Sequence, residues 1–157
     1  MTIKRILCLD SYNCCQSPMM MAWFRKVIQN AIDKRRSPNY AVDEGKIIGV
    51  TVDSASTYIV MSTTSASENA IACMREHGID ISDHRIKHIG HLDINDFDLI
   101  ICISHSDIEI IAGKRPRGLI LLAEAGRFYN RGSSFEECYV LTEEIHTFVD
   151  KIVEIFF

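Results

Sequence analysis

A short polar loop, residues 10–16 (DSYNCCQ), joins an apolar run to the start of a helical pattern. It gathers side chains able to do chemistry at close spacing: Asp10, Ser11, Tyr12, Asn13, Cys14, Cys15 and Gln16, with Ser17 next. Successive backbone N–H groups in such a turn, together with the positive end of the helix dipole, favour an anion. Every strand–turn–helix connection has this property, so it does not by itself name a ligand. Six cysteines lie at 8, 14, 15, 73, 102 and 138. Cys8, Cys73, Cys102 and Cys138 fall inside apolar patterns, where a free thiol behaves as a small hydrophobe. No C-x-x-C spacing occurs, so neither a zinc site nor any other metal or cofactor is expected. Reduced thiols are expected instead of a disulfide framework. The vicinal pair Cys14–Cys15 is either a redox couple or the occupant of two small sites.

The elements that must position this loop are legible as an alternation of strands and helices. Residues 4–9 read as a strand. Ser17 is a suitable N-cap with Pro18 at the first helical position. Met20, Trp23, Phe24, Val27, Ile28 and Ala31 recur at helical spacing as one buried face, and Ser37-Pro38 ends that helix. Residues 47–52 form a second apolar strand. Ser65 and Glu68 form a capping box for a helix stopping at Gly78. Residues 99–103 and 118–122 read as two further strands. Ser134 and Glu137 make another capping box, opening a helix with Leu141, Ile145, Phe148, Val149 and Ile152 inward. Strands alternating with helices predict one α/β doubly wound domain over residues 1–157, with a four-stranded parallel sheet flanked by helices.

Composition narrows the function classes. With 47% hydrophobic and 24% charged residues, the 157-residue chain is that of an ordinary globular domain. A net charge of −4 argues against a nucleic-acid partner, which demands clustered cations. The one basic cluster, Lys34, Arg35 and Arg36, falls where a helix ends and complements its dipole. No apolar stretch approaches membrane-spanning length, and the N-terminal run lacks signal-peptide features, so a cytoplasmic protein without membrane contact is expected.

The segment ILCLDSYNCCQSPMMMAWFRK resembles the signature of the low-molecular-weight protein tyrosine phosphatase family, in which a strand leads into C-L-G-N-x-C-R-S-P and then a helix. Downstream, VDSAS is similar to that family's V-D-S-A-G, and MREHGIDISDHRIKHI to its H-G-I-D-I-S-x-H-R. DFDLIICIS is similar to its third strand, and FYNRGSSFEECY to its acidic-loop segment, all in the family's order. The resemblance implies that residues 10–17 form a phosphate loop supported by Asn13, Ser17, Ser54 and His84. It also implies three replacements. The family's nucleophilic cysteine is Asp10 here, its loop arginine is Gln16, and its general acid is Gly126, with Arg127 in the place of a proline. No arginine in the chain has a cysteine six residues before it.

Each replacement has a chemical cost. A carboxylate attacks a phosphate dianion poorly and repels it. Gln16 lacks the cationic fork that fits phosphoryl oxygens. Gly126 supplies no proton. The expectation is therefore a degenerate family member: a pseudophosphatase and no enzyme, acting as a binding or regulatory protein. It would retain weak phosphotyrosine or anion recognition, and its partner would be an unidentified, phosphotyrosine-containing protein. The alternative is a hydrolase in which Asp10 forms an acyl-phosphate, with Glu124 as a second carboxylate. Tyr12, where the family has glycine, is expected to disturb the loop backbone. Asp10 is expected to turn its carboxylate onto the loop amides, with a pKa below that of a free aspartate.

Overall fold

A computed structural model describes residues 1–33, 41–60, 63–123 and 134–157 of the chain. Four strands, β1 (Arg5–Asp10), β2 (Thr51–Ser56), β3 (Leu99–Cys102) and β4 (Leu119–Leu122), form one parallel sheet in the order β2-β1-β3-β4. The helices are α1 (Gln16–Asp33), α2 (Glu44–Ile47), α3 (Glu68–Glu76), α4 (His105–Ala112) and α5 (Phe135–Phe156). The expected doubly wound α/β domain is what forms.

Side chains alternate along each strand, so the two sheet faces build two cores. Ile6, Cys8, Leu99 and Ile101 face α1, α3 and α5. Leu7, Leu9, Ile100 and Cys102 face Ile111 of α4 and the short turns carrying Ile89, Ile94 and Phe97. On α1, Met20, Trp23, Phe24, Val27 and Ile28 are buried, as the helical spacing predicts, and Ala31 packs against them. On α5 the five predicted inward positions are all buried, and Ser134 caps the helix by accepting the Glu137 N–H.

Strands β1, β3 and β4 lie within one residue of their expected bounds, and two boundaries differ by more. The second strand starts at Thr51 rather than at residue 47, because Glu44–Ile47 coils into α2 and Gly49 turns the chain at φ +80°. The cap of α3 is Ser67, whose side chain accepts from the Ala70 N–H, in place of Ser65. Gly78 does end that segment, at φ +72°. Ser37, Pro38 and the Lys34–Arg36 cluster lie outside the described residues. Among the described residues no helix is long and apolar enough to cross a membrane.

Central strand β1 pairs with β2 and β3 on its two sides, and Asp10, at its carboxyl end, is in register with Ser56. In open parallel sheets this end of the central strands is where ligands bind. The fold thus delivers residues 10–17 to that edge and backs them with the amino end of an 18-residue helix.

Candidate functional site

Asp10 is buried, with its side chain turned into the loop that follows it. Its Oδ1 accepts the Asn13 N–H at 2.5 Å and the Ser17 hydroxyl at 2.8 Å, and its Oδ2 accepts the Ser17 N–H at 3.0 Å. Amide protons that would otherwise face an external anion are held by a carboxylate belonging to the chain itself. Ser17 is therefore not the N-cap that its type suggests: α1 begins at Gln16, and Ser17 donates to Asp10 from within the first turn. The expected orientation of Asp10 is present, but the expected direction of its pKa is not. The carboxyl is pushed up from 3.8 to about 6, because the cost of burying its charge outweighs the hydrogen bonds from Ser17 and Asn13 that pull it down.

Asn13 is the hub of the loop. Its Nδ2 donates to Ser17 Oγ at 2.8 Å and to Ser54 Oγ at 2.9 Å, and its Oδ1 accepts the Lys87 N–H at 3.1 Å. Its carbonyl accepts from His84 Nε2 at 2.9 Å, which fixes the proton on that nitrogen, since a carbonyl only accepts. The His84 pKa is lowered, chiefly by burial, so the neutral ring donates. Asn13 is also the loop residue with positive φ, +54°, a conformation that short polar side chains tolerate. The expected disturbance at Tyr12 does not occur in that form. Tyr12 lies outward, 59% exposed, with its ring 6.2 Å from that of Tyr58 at the rim of the loop.

The structure thus brings together Asp10, Asn13, Ser17, Ser54 and His84, the residues that the sequence assigns to the loop and its support. Ser11, Cys14 and Gln16 are half-buried along the loop, and Cys15 is buried beneath it. Gly126, Arg127 and Glu124 lie outside the described residues.

Sequence reasoning missed three participants. Thr57 donates its N–H to the Asp10 carbonyl at 2.9 Å and its hydroxyl to Asp107 at 2.7 Å. Asp107 is fully buried in the first turn of α4 and raises the pKa of Asp10 through charge repulsion. Lys87 supports Asn13 through its backbone and binds Asp53 through its ammonium at 2.6 Å. A cleft of about 630 Å³ opens behind this support, lined by Ser54, His84 and Lys87 together with Arg25, Asp53 and Asp83. Asp107 could have been noticed in the sequence, since S-x-x-D after an apolar run is a capping box, and Ser104 and Asp107 form one.

Residues 5–123 match the family model described as low molecular weight phosphotyrosine protein phosphatase. The chain belongs to that family. Among its relatives, the low molecular weight phosphotyrosine protein phosphatases of Sus scrofa and Homo sapiens are 25% and 26% identical to it, each over 87% of both chains. A probable low molecular weight protein-tyrosine-phosphatase of Ralstonia solanacearum, EpsP, is 30% identical over 73% of this chain and 65% of its own. Among solved structures, the low molecular weight protein tyrosine phosphatase from T. tengcongensis superposes with a TM-score of 0.73 at 26% identity, covering 97% of this chain and 99% of its own. A mutant of YwlE from Bacillus subtilis superposes at 0.78 over 97% of each chain, and at 19% identity it speaks to the fold alone.

These findings correct one expectation. The chain was expected to be no enzyme, yet the family that claims it is one of phosphatases, and the relatives named above are phosphatases by name. The loop that follows β1 carries Asp10 and Gln16 at its two ends.

Proposed function

We propose that this member of the low molecular weight phosphotyrosine protein phosphatase family acts as a binding or regulatory protein whose phosphate loop is occupied by its own Asp10 carboxylate. A phosphotyrosine-bearing protein partner would engage the loop weakly, in competition with that carboxylate. The observation that carries the reading is the set of three hydrogen bonds by which Asn13 and Ser17 hold Asp10. Relative to the C-x5-R loop of the family, the altered ends retain backbone donors for an anion while replacing thiolate and guanidinium. The exposed Tyr12 and Tyr58 rings at the rim offer apolar faces to an aryl group. A cytoplasmic setting belongs to the same reading, and the six cysteines, all free, suit a reducing compartment.

Titration with a phosphotyrosine peptide and with its unphosphorylated counterpart tests the proposal. Binding that requires the phosphate and tightens in Asp10→Ala supports it. Equal binding of the two peptides refutes it.

A second reading rests on Asp107, a buried carboxyl that Thr57 joins to Asp10: the Thr57 hydroxyl donates to Asp107 at 2.7 Å and its N–H to the Asp10 carbonyl at 2.9 Å. Paired carboxylates are the setting in which one acts as a nucleophile. There the Asp10 oxygen would attack phosphorus and expel the alcohol, and water would then cleave the acyl-phosphate. Turnover of an aryl phosphate that disappears in Asp10→Asn would assign the protein to this chemistry.

A further inference from the structure

The cleft behind the loop lies between three segments: one face of α1, the β2 residues Asp53 and Ser54, and the chain from Gly78 to Lys87 that follows α3. Its volume of about 630 Å³ falls within the roughly 300–1,000 Å³ typical of small-molecule sites. Buried Met21, Ala22 and Ile81 give it an apolar lining. Its charged groups are unevenly engaged. Asp53 binds the Lys87 ammonium at 2.6 Å through Oδ2 and accepts the Ser54 N–H at 2.8 Å through Oδ1, and Asp80 accepts the Ser82 N–H at 2.9 Å. Arg25 commits Nε and Nη2 to the Val52 carbonyl, at 3.1 and 2.7 Å. Arg85 uses only Nη1, on the His84 carbonyl at 3.0 Å, which leaves the Nε–Nη2 edge of its guanidinium open. Lys26 makes no ion pair or hydrogen bond among the described residues. The four lining cations, Arg25, Lys26, Arg85 and Lys87, stand against three carboxylates, Asp53, Asp80 and Asp83. With His84 neutral, one positive charge is in excess.

We propose that this cleft binds an organic carboxylate, with Arg85 and Lys26 holding the anionic end and Met21, Ala22 and Ile81 packing against an apolar body. The Nε–Nη2 edge of a guanidinium matches two carboxylate oxygens in a bidentate pair. One negative charge offsets the excess, whereas a phosphate dianion would exceed it beside the three aspartates. The apolar lining supplies affinity that exposed ion pairs alone do not, since each of those contributes little. The cleft also reports to the loop. Ser54 and His84 line it, and each holds Asn13 at 2.9 Å, one through the Asn13 amide and the other through its carbonyl. An occupant touching them bears on the residue that carries the left-handed turn of the loop without entering the loop itself. Neither the open cations nor the apolar lining depends on what fills the loop.

The test titrates the folded, full chain at pH 7 with naphthoate and with its neutral isostere naphthamide, by calorimetry and amide NMR. Saturable naphthoate binding at one site is expected, at least about 10-fold tighter than naphthamide, because hydrogen bonds to charged groups are the stronger ones. The largest shifts should fall on Ser54, Ile81, His84 and Arg85. Lys26→Gln and Arg85→Gln together should weaken naphthoate by about 10-fold, and Asp83→Asn should strengthen it. The comparison of the two probes on the unaltered chain stands even where a variant folds poorly. Equal binding of the probes, full affinity in the Lys26→Gln, Arg85→Gln double variant, or no saturable binding would each overturn the inference. Tightening in Asp10→Ala, with shifts centred on residues 10–17, would place the carboxylate in the phosphate loop and overturn it as well.

Discussion

Replacing Asp10 with alanine removes the internal anion and leaves its donors in place. In the parent, phosphate reaches the Asn13 and Ser17 donors only after three hydrogen bonds to Asp10 have opened. At the net value of about 1 kcal/mol per hydrogen bond, which already includes exchange with water, opening costs roughly 3 kcal/mol. At 1.4 kcal/mol per tenfold, that corresponds to an affinity for inorganic phosphate about 100-fold weaker than an unoccupied loop would have. Charge repulsion between the displaced carboxylate and the phosphate adds to this, so 100-fold is a lower figure. Calorimetric or ³¹P NMR titration of the parent and Asp10→Ala at pH 7 measures it, and phosphate should raise the Tm of the variant more than that of the parent. Micromolar phosphate binding by the parent, or equal affinities in the two proteins, would refute the argument, provided circular dichroism shows the variant folded.

The raised pKa of Asp10 fixes a sign for pH dependence. A carboxyl that holds its proton up to about 6 when folded, against 3.8 otherwise, favours the folded state most below pH 3.8, and that contribution is lost as pH rises through 6. The stability of the parent relative to Asp10→Asn should therefore fall between pH 4 and 7 by on the order of 3 kcal/mol in denaturant titrations; a flat difference would show that burial does not dominate. Gly118→Ala should cost on the order of 3 kcal/mol, roughly 10 °C in Tm, because its Cβ would meet the Phe97 carbonyl, a backbone atom that cannot swing away, and a neutral substitution would contradict this packing. Asp10→Cys combined with Gln16→Arg should turn over aryl phosphates at least ~100-fold faster than either single variant, since thiolate and guanidinium act on the same phosphoryl group; equal rates for Asp10→Cys alone would show that Gln16 is no handicap.

How far the sequence could be read varies along the chain, for physical reasons. The long helices were legible because their buried faces repeat locally: Met20, Trp23, Phe24 and Val27 on α1, and Leu141, Ile145, Phe148 and Ile152 on α5. Strand β2 was misplaced because apolar residues 47–50 look like a strand, whereas a turn of helix and the left-handed Gly49 occupy them. Its true residues include buried Ser54 and Ser56, small polar side chains that carry little periodic signal.

The site divides in the same way. The order of segments around residues 10–17 determined the family, the loop and the identities of its end residues, Asp10 and Gln16, because those are facts of spacing along the chain. It also indicated that Asp10 would turn inward, since a carboxylate tethered next to unpaired amides has little entropy to lose. The sign of its pKa shift was beyond the sequence, because burial depends on what Thr57, Asp107 and the second core place around it. The role of Lys87 was equally out of reach. That contact joins residues 74 apart in the chain, and only the tertiary fold, which lays the segment after α3 beside the loop, brings them within hydrogen-bond distance.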